Sequence, residues 1–198
     1  ILAELARIQT YSANMLTTDT EKAKRLAEAL VSADEAIKVS PESSTVWAVR
    51  SFVLDSNASN ALNADLRAGY MTEAEQNAVR AIQLDNQNTL ALAYYAETLI
   101  DQQKWDQSYQ VITQAASRAA EKGERIMDVY RVRGYINESL GNYSVAIEDY
   151  KEAVKITPNL TFLHISIGLN YRQLKQYDRA LEYFAQAATI NESLGVKD

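Results

Sequence analysis

Residues 127–160 read MDVYRVRGYINESLGNYSVAIEDYKEAVKITPNL, and residues 161–194 read TFLHISIGLNYRQLKQYDRALEYFAQAATINESL. Laid one over the other, they match in residue size. Gly134 meets Gly168, Tyr143 meets Tyr177, Ala146 meets Ala180, and Ile147 meets Leu181. Tyr150 meets Phe184, Ala153 meets Ala187, and Ile156 meets Ile190. The period is 34 residues, within the range that marks stacked repeats rather than one irregular core. Within 127–160, Tyr130, Gly134, Ile136 and Leu140 fall mainly at helical spacing, and so do Tyr143, Ala146, Ile147, Tyr150, Ala153 and Val154. Gly141-Asn142 separates the two runs as a helix stop, and Pro158-Asn159 closes the unit, because proline cannot continue a helix. Each unit therefore reads as a helix A, a tight turn and a helix B. Gly134, Gly168 and the alanines at 146, 153, 180 and 187 mark places where helix axes approach closely. A larger side chain there would cost about 1–3 kcal/mol in overpacking.

The pattern extends toward the N-terminus. Trp105, Ser108, Ile112 and Ala115 hold the places of Tyr143, Ala146, Tyr150 and Ala153, displaced by 38 residues rather than 34. The four extra residues, near Glu121 to Glu124, amount to about one helical turn and lengthen a helix without rotating its apolar face. Ala36–Glu42 and Ala81–Asn86 look like closing segments of two further units. Unit 44–88 is eleven residues longer than the repeat, and Leu62, Leu66, Tyr70, Ala74, Ala78 and Ala81 carry its second apolar stripe backwards. The expectation is a helix B starting near Asn63 or Ala64 after an Asn/Ser-rich turn at 57–62. The first unit pairs a helix near 1–16 with one near 20–39, with a capping-box signal at Thr18-Asp19-Thr20-Glu21. The units expected are 1–43, 44–88, 89–126, 127–160 and 161–194, stacked as one all-α solenoid over 1–198.

This register resembles the tetratricopeptide repeat, which sets large residues at positions 4, 11, 17 and 24, small ones at 8, 20 and 27, and proline at 32. Here those positions are Tyr130, Gly134, Asn137, Tyr143, Ala146, Tyr150, Ala153 and Pro158 in one unit. In the next they are His164, Gly168, Tyr171, Tyr177, Ala180, Phe184 and Ala187, with Glu192 in place of proline. Asn137 departs from the usual tyrosine. The resemblance implies a right-handed superhelix whose helices A line a concave face.

Composition narrows the function. Net charge is -6 with only 6 Gly, 2 Pro and no Cys among 198 residues. No basic stripe is present, which argues against nucleic acid. Cysteine chemistry is excluded, and no apolar run reaches the roughly 18 residues that a spanning helix needs. The sole histidine, His164, falls at a repeat core position and reads as packing rather than as a ligand. No phosphate loop, HExxH or G-x-S-x-G occurs. The acidic pair Glu148 and Asp149 reads as a solvated face. The expectation is a non-enzyme without cofactor or metal, soluble, on either side of a membrane. Because it starts at Ile1 without an initiator Met or a signal-peptide pattern, it reads as a piece of a longer polypeptide or as a processed one.

In the family the chain resembles, positions 2, 5, 9, 12 and 13 of helix A face the groove. By register these implied groove residues include Asp128, Arg131, Tyr135 and Glu138, then Phe162, Ile165, Leu169 and Arg172, with Glu97, Asp101 and Phe52 from earlier units. Phe52, Phe162, Ile165 and Leu169 would serve as apolar anchors, with the charged residues setting register. Replacing Arg131 and Tyr135 together is then expected to abolish capture without lowering stability. The implied function is a scaffold that binds a peptide or protein segment. Two alternatives stand beside it. One is self-assembly through an open last helix B bearing Tyr183, Phe184, Ala187 and Ile190; the other is client presentation to an enzymatic or membrane domain outside this sequence. Members that clamp a C-terminal carboxylate use Lys and Asn at helix A positions 5, 6 and 9. This chain has Arg131, Val132 and Tyr135, then Ile165, Ser166 and Leu169, so that specialisation is not expected.

Overall fold

The computed structural model describes residues 1–194, and among them every regular element is helical. The order is α1 (Leu2–Ala13), α2 (Asp19–Val39), α3 (Ser44–Ser59), α4 (Ala64–Leu84), α5 (Thr89–Asp101), α6 (Trp105–Lys122), α7 (Met127–Ser139), α8 (Tyr143–Ile156), α9 (Thr161–Gln173) and α10 (Tyr177–Ser193). The expected helix–turn–helix pairs are present, with each odd-numbered helix standing as helix A. The chain divides into two compact units, residues 1–118 and 119–198.

Local chemistry fixes where the helices begin and end. Thr18 caps α2: its hydroxyl oxygen accepts from the Glu21 amide at 3.2 Å and its O–H donates to the Glu21 carboxylate at 2.7 Å. Asn63 caps α4, its Oδ1 accepting from the Leu66 amide at 2.9 Å, so the long helix B starts where the sequence placed it. The preceding turn is shorter than expected. Helix α3 runs on to Ser59, because the Asn57 and Asn60 amides donate back to the carbonyls of Val53 and Ser56 at 2.8 Å each. Only residues 60–63 remain between the helices. The four-residue insertion lengthens α6, which has 18 residues against 14 in α8.

The turn after α5, α7 and α9 recurs in one form. Gly141 stands at φ 77°, its amide bonds to the Glu138 carbonyl at 3.0 Å, and the Asn142 amide reaches the Asn137 carbonyl at 2.8 Å. This is the double-bonded helix end that needs a left-handed residue. Lys175 at φ 59° and Gln103 at φ 61° make the same turn without glycine's freedom.

The first unit closes around an aromatic stack. The Phe52 ring lies parallel to Tyr94, 4.6 Å between centroids, and packs on Tyr11 at 5.1 Å. These three rings join α1, α3 and α5. Small side chains set the spacing between helices A and B: Ser51 Oγ donates to the Ala74 carbonyl at 2.8 Å and Ser108 Oγ to the Ala96 carbonyl at 2.7 Å.

In the second unit the two repeat glycines carry ring contacts. A Cβ on Gly168 would lie 2.5 Å from Cε1 and 2.7 Å from Cδ1 of Phe184, and one on Gly134 would lie 3.0 Å from the Tyr150 ring. The glycine thus makes room for the large position-24 ring of its own helix B. Gly168→Ala should cost about 2–3 kcal/mol, more than Gly134→Ala, since the aromatic ring cannot fold aside. Thermal melting checks this, and adding Phe184→Leu should recover part of the loss.

One further expectation changes. Asp149 is not on a solvated face; it is buried, and its Oδ1 takes two bonds from the Arg133 guanidinium, the Nε–H at 2.9 Å, while Oδ2 accepts from the Asn137 amide at 3.2 Å. Asn137, the departure from the repeat pattern, therefore has a partner inside the helix pair. Glu148 is exposed, as expected.

Candidate functional site

The sequence-derived groove residues separate by burial once their neighbours are in place. In the first unit, Phe52 is 3% exposed and belongs to the core. It is not an apolar anchor for a ligand. The register that assigns groove positions takes no account of α1, whose Tyr11 covers this ring. Asp101 lies at the end of α5, where its Oδ2 accepts from the Ser59 hydroxyl at 3.1 Å. Glu97 is half-buried on the same helix.

In the second unit, Asp128 is fully buried and Arg131 is 9% exposed. They pair with one another across a helical turn, guanidinium to carboxylate at 3.5 Å. Arg131 is therefore largely withdrawn from solvent, which argues against the expectation that its loss would leave stability untouched. The accessible face is narrower. It consists of Tyr135, 38% exposed, and Ile165, 39% exposed, with half-buried Phe162 and Leu169 and exposed Arg172.

Glu138 sits within this face and is the residue most closely held. Its Oε2 accepts from the Tyr150 hydroxyl of α8 at 2.9 Å and from the Asn170 side-chain amide of α9 at 3.0 Å. Asn170 is in turn fixed by its Nδ2–H bond to the Ser166 carbonyl at 2.8 Å. Burial first, and then the adjoining Glu138 carboxylate, push the Tyr150 phenol far above its ordinary range, so it stays a donor. Three helices thus converge on one carboxylate. Register places Glu138 in the groove but says nothing of its supports on α8 and α9. The pairing of Glu138 with a hydroxyl-bearing ring at position 24 was the available signal.

His164 is buried, with Nε2 2.9 Å from the Pro158 carbonyl oxygen and Nδ1 3.2 Å from Gln186 Oε1, and its ring packs 6.2 Å from Tyr183. Nδ1 thus faces α10 and Nε2 faces the connection that precedes α9. Among the described residues no group of three or more His, Cys, Asp or Glu is placed to hold a metal ion, and no helix is long and apolar enough to cross a membrane.

The family model for the tetratricopeptide repeat matches residues 128–160 and 163–194, the two stretches read above as adjacent units. A curated relative, cell division cycle protein 27 homolog A of Arabidopsis thaliana, is 27% identical over 111 residues. That match takes in 56% of this chain and 15% of the relative's length. Among solved structures, a thermophilic tetratricopeptide-repeat protein of Thermus thermophilus superposes with a TM-score of 0.60 at 16% identity, over 91% of this chain and 79% of the other. MamA from Desulfovibrio magneticus RS-1 superposes with a TM-score of 0.56 at 16% identity, over 97% and 96%. A further MamA crystal structure gives 0.58 at 18% identity, over 91% and 98%. At these identities the structures speak to the fold, and the fold they share is the one built here from repeat register. The glycine–ring contacts, the recurrent left-handed turn and the family match all rest on that register, and residues 128–160 and 163–194 are two tetratricopeptide repeats.

Proposed function

We propose that this chain is a protein-interaction scaffold, and that within its second unit the helix-A face of α7 and α9 takes a peptide or protein segment. The observation that carries this is the exposure of Tyr135 on α7 and Ile165 on α9, with Phe162 and Leu169 half-buried on α9. Apolar side chains on one face, bordered by Glu138 and Arg172, suit a segment with alternating apolar and polar contacts. The lone histidine is consumed by packing, which supports a binding role over catalysis.

The test is selection of a random dodecapeptide library on the full chain. Peptides retained by the wild type should be lost on Ile165→Asp, a surface change that leaves the melting temperature in place. Retention by Ile165→Asp would place binding elsewhere.

A second reading, self-association, has its own observation. The outer side of α10 exposes Tyr177 at 59% and Leu181 at 66%. These differ from the residues the sequence nominated. Ala187 is buried, and Tyr183, Phe184 and Ile190 are half-buried against the fold. Light scattering over a concentration series decides this reading. A mass that stays monomeric rejects it, and growth that Leu181→Lys abolishes supports it.

A further inference from the structure

We infer that Glu138 sets the specificity of the α7–α9 face, and that the segment bound there presents a lysine or arginine next to an apolar side chain. The inference rests on the reading of that face as a binding surface and names the chemistry of its partner.

Glu138 is ordered before anything binds. Both of its hydrogen bonds go to Oε2, and both donors, Tyr150 and Asn170, are neutral. Oε1 is left for a donor from outside. Among the described residues Glu138 has no lysine or arginine within ion-pair distance. Arg131, seven residues earlier on α7, acts on Tyr150 electrostatically, yet its guanidinium is turned to Asp128. A half-buried carboxylate with fixed geometry and no contact cation loses little ordering entropy when a cation arrives. The chain's net charge of -6 favours the same sign of partner during encounter.

The repeats themselves provide a control. Position 12 of helix A and position 24 of helix B change together along this sequence. They are Glu138 with Tyr150, Arg172 with Phe184, and Ile100 with Ile112. A hydroxyl appears at position 24 in the unit that has a carboxylate for it to orient. Where the ring is Phe184, without a hydroxyl, Arg172 stands exposed. The apolar side chains are carried by the same two helices: Tyr135 is one turn before Glu138 on α7, Leu169 immediately precedes Asn170 on α9, and Ile165 is one turn before Leu169.

A purely structural role for Glu138, tying α7, α8 and α9 together, makes a different prediction. Glu138→Gln keeps an oxygen that can accept from Tyr150 and Asn170 but removes the charge. The experiment selects the same dodecapeptide library on wild type, Glu138→Gln and Glu138→Lys. Wild type should enrich sequences with Lys or Arg within two residues of an aliphatic or aromatic side chain. On Glu138→Gln that preference should vanish, and the wild-type peptide should bind about tenfold more weakly, the worth of one charge-assisted hydrogen bond. Glu138→Lys should turn the preference toward acidic sequences. Replacing the peptide's own basic residue with norleucine repeats the measurement on unaltered protein, and should give a similar tenfold loss.

A neutral or acidic wild-type consensus overturns the inference. So does an unchanged basic consensus on Glu138→Gln, or a norleucine peptide that binds equally well. If peptides lacking basic preference are still lost on Ile165→Asp, the binding face stands and the role of Glu138 falls. If nothing is enriched, both fall.

Discussion

Phe52→Ala should destabilise the first unit by about 3–5 kcal/mol, the cost of truncating a buried aromatic residue where the surroundings cannot collapse. The ring is sandwiched, stacked on Tyr94 at 4.6 Å and covered by Tyr11 at 5.1 Å. Its removal separates three helices at once, because α1, α3 and α5 meet on it. The effect is observable selectively. Both tryptophans, Trp47 and Trp105, lie in residues 1–118, so urea unfolding followed by tryptophan fluorescence reports on that unit. Its midpoint should fall sharply while hydrogen exchange in α9 and α10 stays as in the wild type. A Phe52 that faced a ligand groove would give the opposite pattern, with unchanged stability and lost binding.

Arg131→Ala should lower the stability of the second unit by about 3 kcal/mol. Asp128 is fully buried, and truncating Arg131 removes a cationic partner from a carboxylate held away from water. Breaking one side of such a pair typically costs about 3–5 kcal/mol, and the 3.5 Å separation puts this pair at the lower end. Adding Asp128→Asn should recover part of the loss, since it removes the buried charge that Arg131 helps to offset. Hydrogen exchange of the α7 amides reads both variants. If Arg131→Ala leaves α7 protected as before, the pair contributes nothing and Arg131 returns to the set of ligand-facing residues.

These two residues show where sequence reasoning reaches its limit. Register alone locates Gly134 opposite Tyr150 and Gly168 opposite Phe184, because a 34-residue period repeats a contact made within one helix pair. It also locates the start of α4, because Asn63 caps its own helix and the signal is local. Phe52 and Arg131 occupy helix-A positions that face outward in a regular repeat, and each is buried by something register does not encode. For Phe52 it is the aromatic pair Tyr11 and Tyr94, 41 residues before and 42 after it. For Arg131 it is an acid one turn away whose own burial depends on packing. Asp149 follows the same rule: next to Glu148 it resembles half of a surface pair, but helical geometry turns one side chain outward and its neighbour toward Arg133 and Asn137.

Helix α3 shows the reverse error. Ser56, Asn57, Ser59 and Asn60 have the composition of a turn. The asparagine side chains instead bond to carbonyls four residues back and stay with the helix, deferring the break to 60–63. The Glu138 arrangement is legible only in its Tyr150 half, through the repeat register. It needs a hydroxyl from α8 and an amide from α9, and only packed helices bring them to one oxygen.

Where a bound segment touches the second unit is measured directly by amide and methyl chemical-shift mapping with a selected peptide. Shifts should concentrate on Tyr135, Glu138, Ile165 and Leu169 and fade across the outer faces of α8 and α10. A peptide that instead perturbs Val145, Tyr177 and Leu181, while leaving Ile165 and Glu138 unmoved, would contradict the assignment of the α7–α9 face.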